Sequence, residues 1–237
     1  MDILALKKIW NGYVKQSGND IYTNRYIHRS ESKEDHYREG HWAFSYYILN
    51  PVLKLGISPD STVLEIGCGL GRLILPASYY FNQCLGIDIS EEVISKAQER
   101  VDKLKISNIK LLPCDGQNIP LEDKSIDLVY SFLVFMHIPS KKIIRQYIKE
   151  TYRVLKPQGI ARIQVRRSQS WLTSQDYPNI TKKDYDLPYG CTFTKREIKK
   201  SFSIESLKVL SINRETRRPY NLIPSQTQLW VTAKKGI

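Results

Sequence analysis

The residues most able to do chemistry begin with Gly67-Cys68-Gly69-Leu70-Gly71, which follow the mostly apolar run Val63 to Ile66 and precede an apolar segment of helical character. Glycine lets such a loop turn sharply and lets a ligand approach the backbone, while the start of a helix offers N–H groups with no partner inside it. Asp88 stands 17 residues beyond Gly71, at the end of a second apolar run. A carboxylate at that place can accept both hydroxyls of a ribose. A lone aspartate there would serve as a helix cap; its coincidence with the glycine loop favours the ribose. The two features together describe a site for a nucleotide-like ligand.

A nicotinamide or flavin dinucleotide site needs a third glycine three residues after its second, for close helix-strand contact beside a pyrophosphate. Arg72 occupies that position, so the fingerprint fails. The compact Gly-x-Gly-x-Gly form, with Glu65 two residues ahead, resembles the first motif of the class I S-adenosylmethionine-dependent methyltransferases. The likeness continues through PCDGQNIP, IDLVYSFLVFMHIP and RVLKPQGIARIQV, the last with Gln158 where the family's turn has its first glycine; this departure is expected to affect a turn and not the chemistry. What the resemblance implies is an α/β, doubly wound, mostly parallel seven-stranded sheet of order 3-2-1-4-5-7-6, strand seven antiparallel, with the ligand at the C-terminal ends of the strands. It implies S-adenosylmethionine as cofactor and S-adenosylhomocysteine as product. The cofactor residues carried over are Glu65, Gly67, Cys68, Gly69, Gly71, Asp88, Ile89, Asp115, Gly116, Gln117 and Phe132, with Asp115 facing the adenine amino group.

A sulfonium methyl donor is already activated, so the protein need only align a nucleophile and, where required, remove a proton. Alignment is worth about 7 to 11 kcal/mol and a general base about 10² to 10⁴ in rate. His137, just past the fourth predicted strand, is the candidate base, since an imidazole titrates near neutrality; a histidine there can also only shape the pocket. Arg166 and Arg167 at the end of the fifth strand suggest an anionic acceptor, and Arg166, Trp171 and Tyr189 are the expected substrate-binding residues. No Asn/Asp-Pro-Pro-Tyr/Phe or Pro-Cys segment follows the fourth strand, which favours O- or N-methylation of a small molecule over nucleic-acid amino or cytosine methylation. An RNA methyltransferase is the alternative on charge, and a methyltransferase-like protein that binds cofactor without transfer is the third reading.

Elements that could position these residues are legible around them. From about residue 61 short β-branched runs alternate with amphipathic segments, the pattern of a sheet with crossover helices. STVLEIGCG, CLGIDIS, NIKLLPCD, SIDLVYSFLVF, GIARIQVRR, SIESLKVLSIN and QLWVTAKK read as strands. GLGRLILPASYY reads as a helix, as does a segment capped by Ser90 with Val93, Ile94, Ala97, Val101 and Leu104 on its apolar face. SKKIIRQYIKETYRVLK reads as a helix ending at Pro157, and Thr194 with Glu197 as a capping box. Residues 1–58 read as an N-terminal helical cap and substrate lid, bent near Pro51. Residues 59–237 read as the cofactor-binding domain, with an aperiodic active-site loop at 168–192.

The 237 residues carry 36 Lys and Arg against 24 Asp and Glu, a formal charge of +12 that points to anionic partners. Four cysteines without paired spacing predict buried structural thiols, and no His/carboxylate set predicts a metal. No stretch reaches the roughly 18 apolar residues of a membrane span, and MDILALKKIWNGY turns charged before a signal region could form, so a cytoplasmic protein is expected.

Overall fold

The computed structural model describes residues 3–17, 33–168, 190–214 and 228–237. Seven strands, counted in chain order, form one sheet of order 3-2-1-4-5-7-6, the order the resemblance implies. Residues 2–116 and 117–237 make two compact units.

In the first unit β1 (Thr62–Ile66), β2 (Gln83–Asp88) and β3 (Ile109–Pro113) lie parallel, with Ile66 beside Ile87 and Asp88 beside Pro113. Parallel strands buried on both faces read as unbroken apolar runs, as VLEI and CLGI do. Helix α5 (Glu91–Lys103) is capped by Ser90, whose Oγ accepts from Val93 N, and buries Val93, Ile94, Ala97 and Val101. Leu104 departs from expectation: it lies one residue past the helix and is exposed, because the chain turns through a left-handed Lys105. Ahead of the sheet run α1 (Ile3–Ser17), α2 (Lys33–Ala43), a π-helical turn (Phe44–Leu49) and α3 (Asn50–Leu53). Where the sequence suggests a break or bend near Pro51, the helical pattern changes from π to α at Asn50 and the helix ends at Leu53.

The helix expected after the glycine loop is only α4 (Ile74–Ala77). Leu75 N and Ala77 N donate to Gly71 and Leu73 carbonyls at 3.0 and 3.1 Å, but Pro76 has no N–H for the carbonyl of Arg72.

In the second unit β4 (Ile126–Ser131) pairs parallel with β5 (Leu155–Arg166), and β7 (Gln228–Lys235) runs antiparallel between β5 and β6 (Leu207–Arg214). Helix α6 (Lys141–Val154) buries Ile144, Tyr147, Ile148, Thr151 and Val154 on one stripe and stops three residues before Pro157. Its last carbonyls are taken by the Lys235 ammonium, which donates to Tyr152 and Leu155 oxygens at 2.7 and 2.6 Å. Residues 155–157 belong instead to β5, whose register with β4 slips between Ile126 and Leu128 to admit them. Glu150 accepts Ile119 N–H at 3.0 Å and a two-point contact from Arg153, which also donates to the Ile119 and Leu121 carbonyls and so fastens the loop before β4. Burial pushes the Glu150 carboxyl up, but the Arg153 hydrogen bond and the Ile119 N–H outweigh it and hold it below the usual range. The capping box forms as expected at α7 (Lys195–Ile204), with Thr194 N and Glu197 N each donating to the other's side chain.

Gln158 sits at φ 67 in the slip of β5, a backbone region where side chains other than glycine are strained. Replacing it with glycine, which occupies that region freely, is expected to raise unfolding stability in urea by about 1 kcal/mol without altering ligand binding.

Candidate cofactor site

The glycine loop leaves β1 at Gly67, whose N–H, with that of Cys68, donates to the Ile87 carbonyl at 2.7 and 3.0 Å. The loop is thereby stitched to the end of β2. Gly67 and Gly71 take φ values of 72 and 90, conformations that side chains rarely tolerate, which is why the sequence needs glycine at these turns. Asp88, at the end of β2, lies across the same gap: its Oδ2 accepts Gly69 N–H at 3.1 Å and its Oδ1 accepts Ser90 N–H at 3.0 Å. One carboxylate therefore ties the glycine loop to the start of α5. The backbone continues the connection to β3, where Cys114 N donates to Asp88 O at 2.9 Å. Asp115 follows with an exposed side chain, beside the left-handed Gly116.

Burial is the main cause that raises the Asp88 carboxyl from 3.8 to about 6, against the opposing pull of the Ser90, Gly69 and Ile89 N–H groups. Four lone-pair sites on the two oxygens face three backbone donors, of which Gly69 and Ser90 make the close bonds, so the carboxylate retains capacity for a ligand hydroxyl. That fits a ribose diol. Glu65 is buried beneath the loop, and Arg72 faces it and Glu39: burial pulls the Arg72 guanidinium down, while these two carboxylates favour its charge. The cation nearest the loop is thus engaged with protein carboxylates, an arrangement suited to a ligand without phosphate. Cys68 is buried, and burial followed by the charges of Asp88 and Glu65 pushes its thiol well up; Cys84 rises to about 12 for the same leading reason. All four cysteines are free and buried, in line with structural thiols.

Sequence reasoning missed Gly86. It is the β2 neighbour of Glu65, and a Cβ there would stand 2.7 Å from Leu111 Cδ2, 2.8 Å from Ile74 Cδ1 and 3.0 Å from Cys68 Cβ. In dinucleotide folds a helix glycine allows the close helix-strand approach. Here Arg72, in the turn before α4, takes that position, and the strand supplies the missing side chain instead. A glycine inside a strand pattern was the available signal.

In the second unit Phe132 stacks on Trp230 with ring centroids 5.6 Å apart, and Leu133 N donates to Gln164 Oε1 at 3.1 Å. His137 closes a short 3-10 turn, Phe135–His137, and is half-buried. The end of the long loop is sewn to this turn: Gly190 N donates to Met136 O at 2.7 Å and Cys191 N to Ile138 O at 2.9 Å. Its beginning is held by Phe193, which exchanges backbone bonds with Arg166 and Ser168. Arg166 ends β5 half-buried, and Gln117 is exposed. Trp171 and Tyr189 lie outside the described residues. A further feature not foreseen is the row in which Arg162, Gln164 and Arg166 on β5 pair with Thr232, Trp230 and Gln228 on β7, buried except at the half-buried Arg166. Gln228 reaches Met136 Sδ at 3.6 Å, beside the His137 turn. Alternation along QLWVTAKK puts Gln228, Trp230 and Thr232 on one side, a pattern that was readable.

Among the described residues no group of His, Cys, Asp and Glu could hold a metal, and no helix is long and apolar enough to cross a membrane.

Residues 64–163 match the family model described as methyltransferase domain. The sterol 24-C-methyltransferase of Schizosaccharomyces pombe is 27% identical over 168 residues, 68% of this chain and 42% of that protein. A probable tRNA methyltransferase 9B of Mus musculus is 29% identical over 143 residues, 60% of this chain and 29% of its own length. The chain thus spans less than half the length of these curated relatives. Among solved structures, magnesium protoporphyrin IX methyltransferase from Synechocystis PCC 6803 with bound SAH superposes with a TM-score of 0.68 at 18% identity, over 97% of this chain and 100% of that one. At that identity the likeness is one of fold.

The raised Asp88 carboxyl carries a stability consequence. A folded-state value above the unfolded one means the folded chain binds the proton more tightly, so this group favours folding below pH 3.8 and opposes it above pH 6. The stability difference between Asp88→Asn and the parent should shift in the variant's favour by about 2 kcal/mol from pH 4 to pH 7, followed by urea unfolding at each pH. Gly86→Ala should cost about 1 to 3 kcal/mol in the same assay, since Ile74 and Leu111 must give way.

Proposed function

With residues 64–163 a class I, S-adenosylmethionine-dependent methyltransferase domain, we propose that this chain transfers the methyl group of S-adenosylmethionine to a small-molecule acceptor. The observation that carries the reading is the Asp88 carboxylate, held by Gly69 and Ser90 N–H groups with acceptor capacity left for a ribose diol. Asp115 offers an accessible carboxylate at the neighbouring strand end for an adenine amino group. Glu65, Gly67, Cys68, Gly69, Gly71, Ile89, Gly116, Gln117 and Phe132 complete the proposed cofactor set. The cofactor supplies an electrophilic methyl group; the protein's tasks are to align the acceptor and to receive its proton.

His137 is the proposed base, placed by a turn that is fastened on one side to Gly190 and Cys191. Arg166, Trp171 and Tyr189 are the proposed acceptor contacts, with Arg166 selecting an anionic group and oxygen or nitrogen as the methylated atom. The division into a cap at 1–58 and a binding domain at 59–237, and a cytoplasmic location, belong to the same proposal. The named relatives act on a sterol and on tRNA, so the acceptor is argued from this chain's residues. RNA methylation is the second reading, favoured by the formal charge of +12 and the likeness to a tRNA methyltransferase.

Incubation with methyl-labelled S-adenosylmethionine and separate small-molecule and RNA pools should put label in the small-molecule pool. Label in RNA, with binding that weakens steeply with salt, supports the second reading instead. With the labelled acceptor in hand, His137→Ala should lower kcat by about 10² to 10⁴, and an unchanged kcat removes the base role. Because ribose hydroxyls donate to the ionised carboxylate, S-adenosylhomocysteine should bind about tenfold more weakly at pH 5 than at pH 8, titrating near the Asp88 value of about 6. Calorimetry on Asp88→Asn should find that dependence gone.

A further inference from the structure

The two turns that Asp88 joins are each held from outside by an N-terminal helix. On one side α1 meets the start of α5. Ser90 Oγ, which caps α5, donates to Asn11 Oδ1 at 2.5 Å, and Lys7 Nζ pairs with Glu91 at 2.8 Å. On the other side α2 lies against the glycine loop. The Tyr37 hydroxyl donates to Leu70 O at 3.4 Å, and the Arg100 guanidinium packs 3.3 Å from the Tyr37 ring centre. Between these contacts Gly40 abuts the loop so closely that a Cβ would stand 2.2 Å from Arg72 O and 2.7 Å from Arg72 Cγ.

The approach at Gly40 is one of backbone to backbone, and a helix can bring its backbone that near to Arg72 only where a residue has no side chain. Gly40 is such a residue in the interior of α2, where glycine otherwise costs helix stability relative to alanine. Its neighbour Glu39 is buried and faces Arg72, which faces Glu65 in turn.

Resting on the cofactor reading above, we infer that Gly40 and Asn11 are positioning residues for S-adenosylmethionine: through them α2 and α1 set the places of Leu70–Arg72 and of Ser90, the segments on either side of Asp88. The N-terminal helices are then working parts of the cofactor site, in addition to any role toward the acceptor. Neither residue touches the cofactor in this account.

The test is calorimetric binding of S-adenosylhomocysteine to the full chain, at a temperature where circular dichroism shows each variant folded. Gly40→Ala should weaken binding at least about tenfold, and Asn11→Ala and Tyr37→Phe each by about two- to fivefold. Gly12→Ala is the matched control: this glycine is also inside a helix, in α1, but an added Cβ meets nothing within 4 Å, so affinity should match the parent. A purely structural role for Gly40 would lower its melting temperature and leave the affinity of the folded variant at the parental value, which overturns the inference. Should Gly40→Ala not fold, parental affinity in both Asn11→Ala and Tyr37→Phe overturns it as well. A parent that does not bind S-adenosylhomocysteine would instead refute the cofactor reading itself, so the two failures are distinct.

Discussion

A buried carboxylate needs hydrogen-bond donors, and the arrangement of the first unit follows from how Asp88 finds them. It stands at the end of β2, where the loop after β1 and the helix after β2 both present backbone N–H groups with no partner inside their own element. Accepting one bond from each, at 3.1 Å from Gly69 and 3.0 Å from Ser90, it fixes the distance between the two turns. The cost of burying it appears as the raised carboxyl value, and its remaining acceptor capacity is what the proposed ribose contact draws on.

Steric subtraction does as much as attraction in shaping this region. Gly86 lets Ile74 and Leu111 close over the strand, and Gly40 lets a helix backbone reach the loop at Arg72. Arg72 connects both themes. Its place in the loop excludes the third glycine of a dinucleotide fold, its side chain faces two buried carboxylates, and its carbonyl is the atom that Gly40 approaches most closely. In the second unit the same economy fastens the His137 turn, since a Cβ at Gly190 would stand 2.5 Å from Met136 O.

Much of this was readable in the chain. The strands, the Ser90 cap and the Thr194–Glu197 box depend on local patterns of a few residues, while the strand order followed from the family resemblance. Where the reading erred, a distant group intervened. Helix α6 stops at Val154 because Lys235, 80 residues away, takes its terminal carbonyls and the chain enters β5 early. The helix after the glycine loop is cut short around Pro76, and Leu104 falls outside its helix because Lys105 turns the chain. Arg153, seen in the sequence only as part of a turn motif, proves to hold four groups of its own unit together through five hydrogen bonds.

The sequence by itself determined the type of each element and the residues at the strand ends, because side-chain periodicity, glycine turns and capping oxygens act within a few residues of themselves. Tertiary structure alone decided which glycines are there to admit a neighbour, which buried carboxylate bridges which turns, and that two N-terminal helices bear on the segments flanking Asp88. Most of those contacts join residues well beyond a local window, from 12 positions for Gly86 with Ile74 to 32 for Gly40 with Arg72 and 79 for Asn11 with Ser90, and no local pattern encodes a partner at that separation.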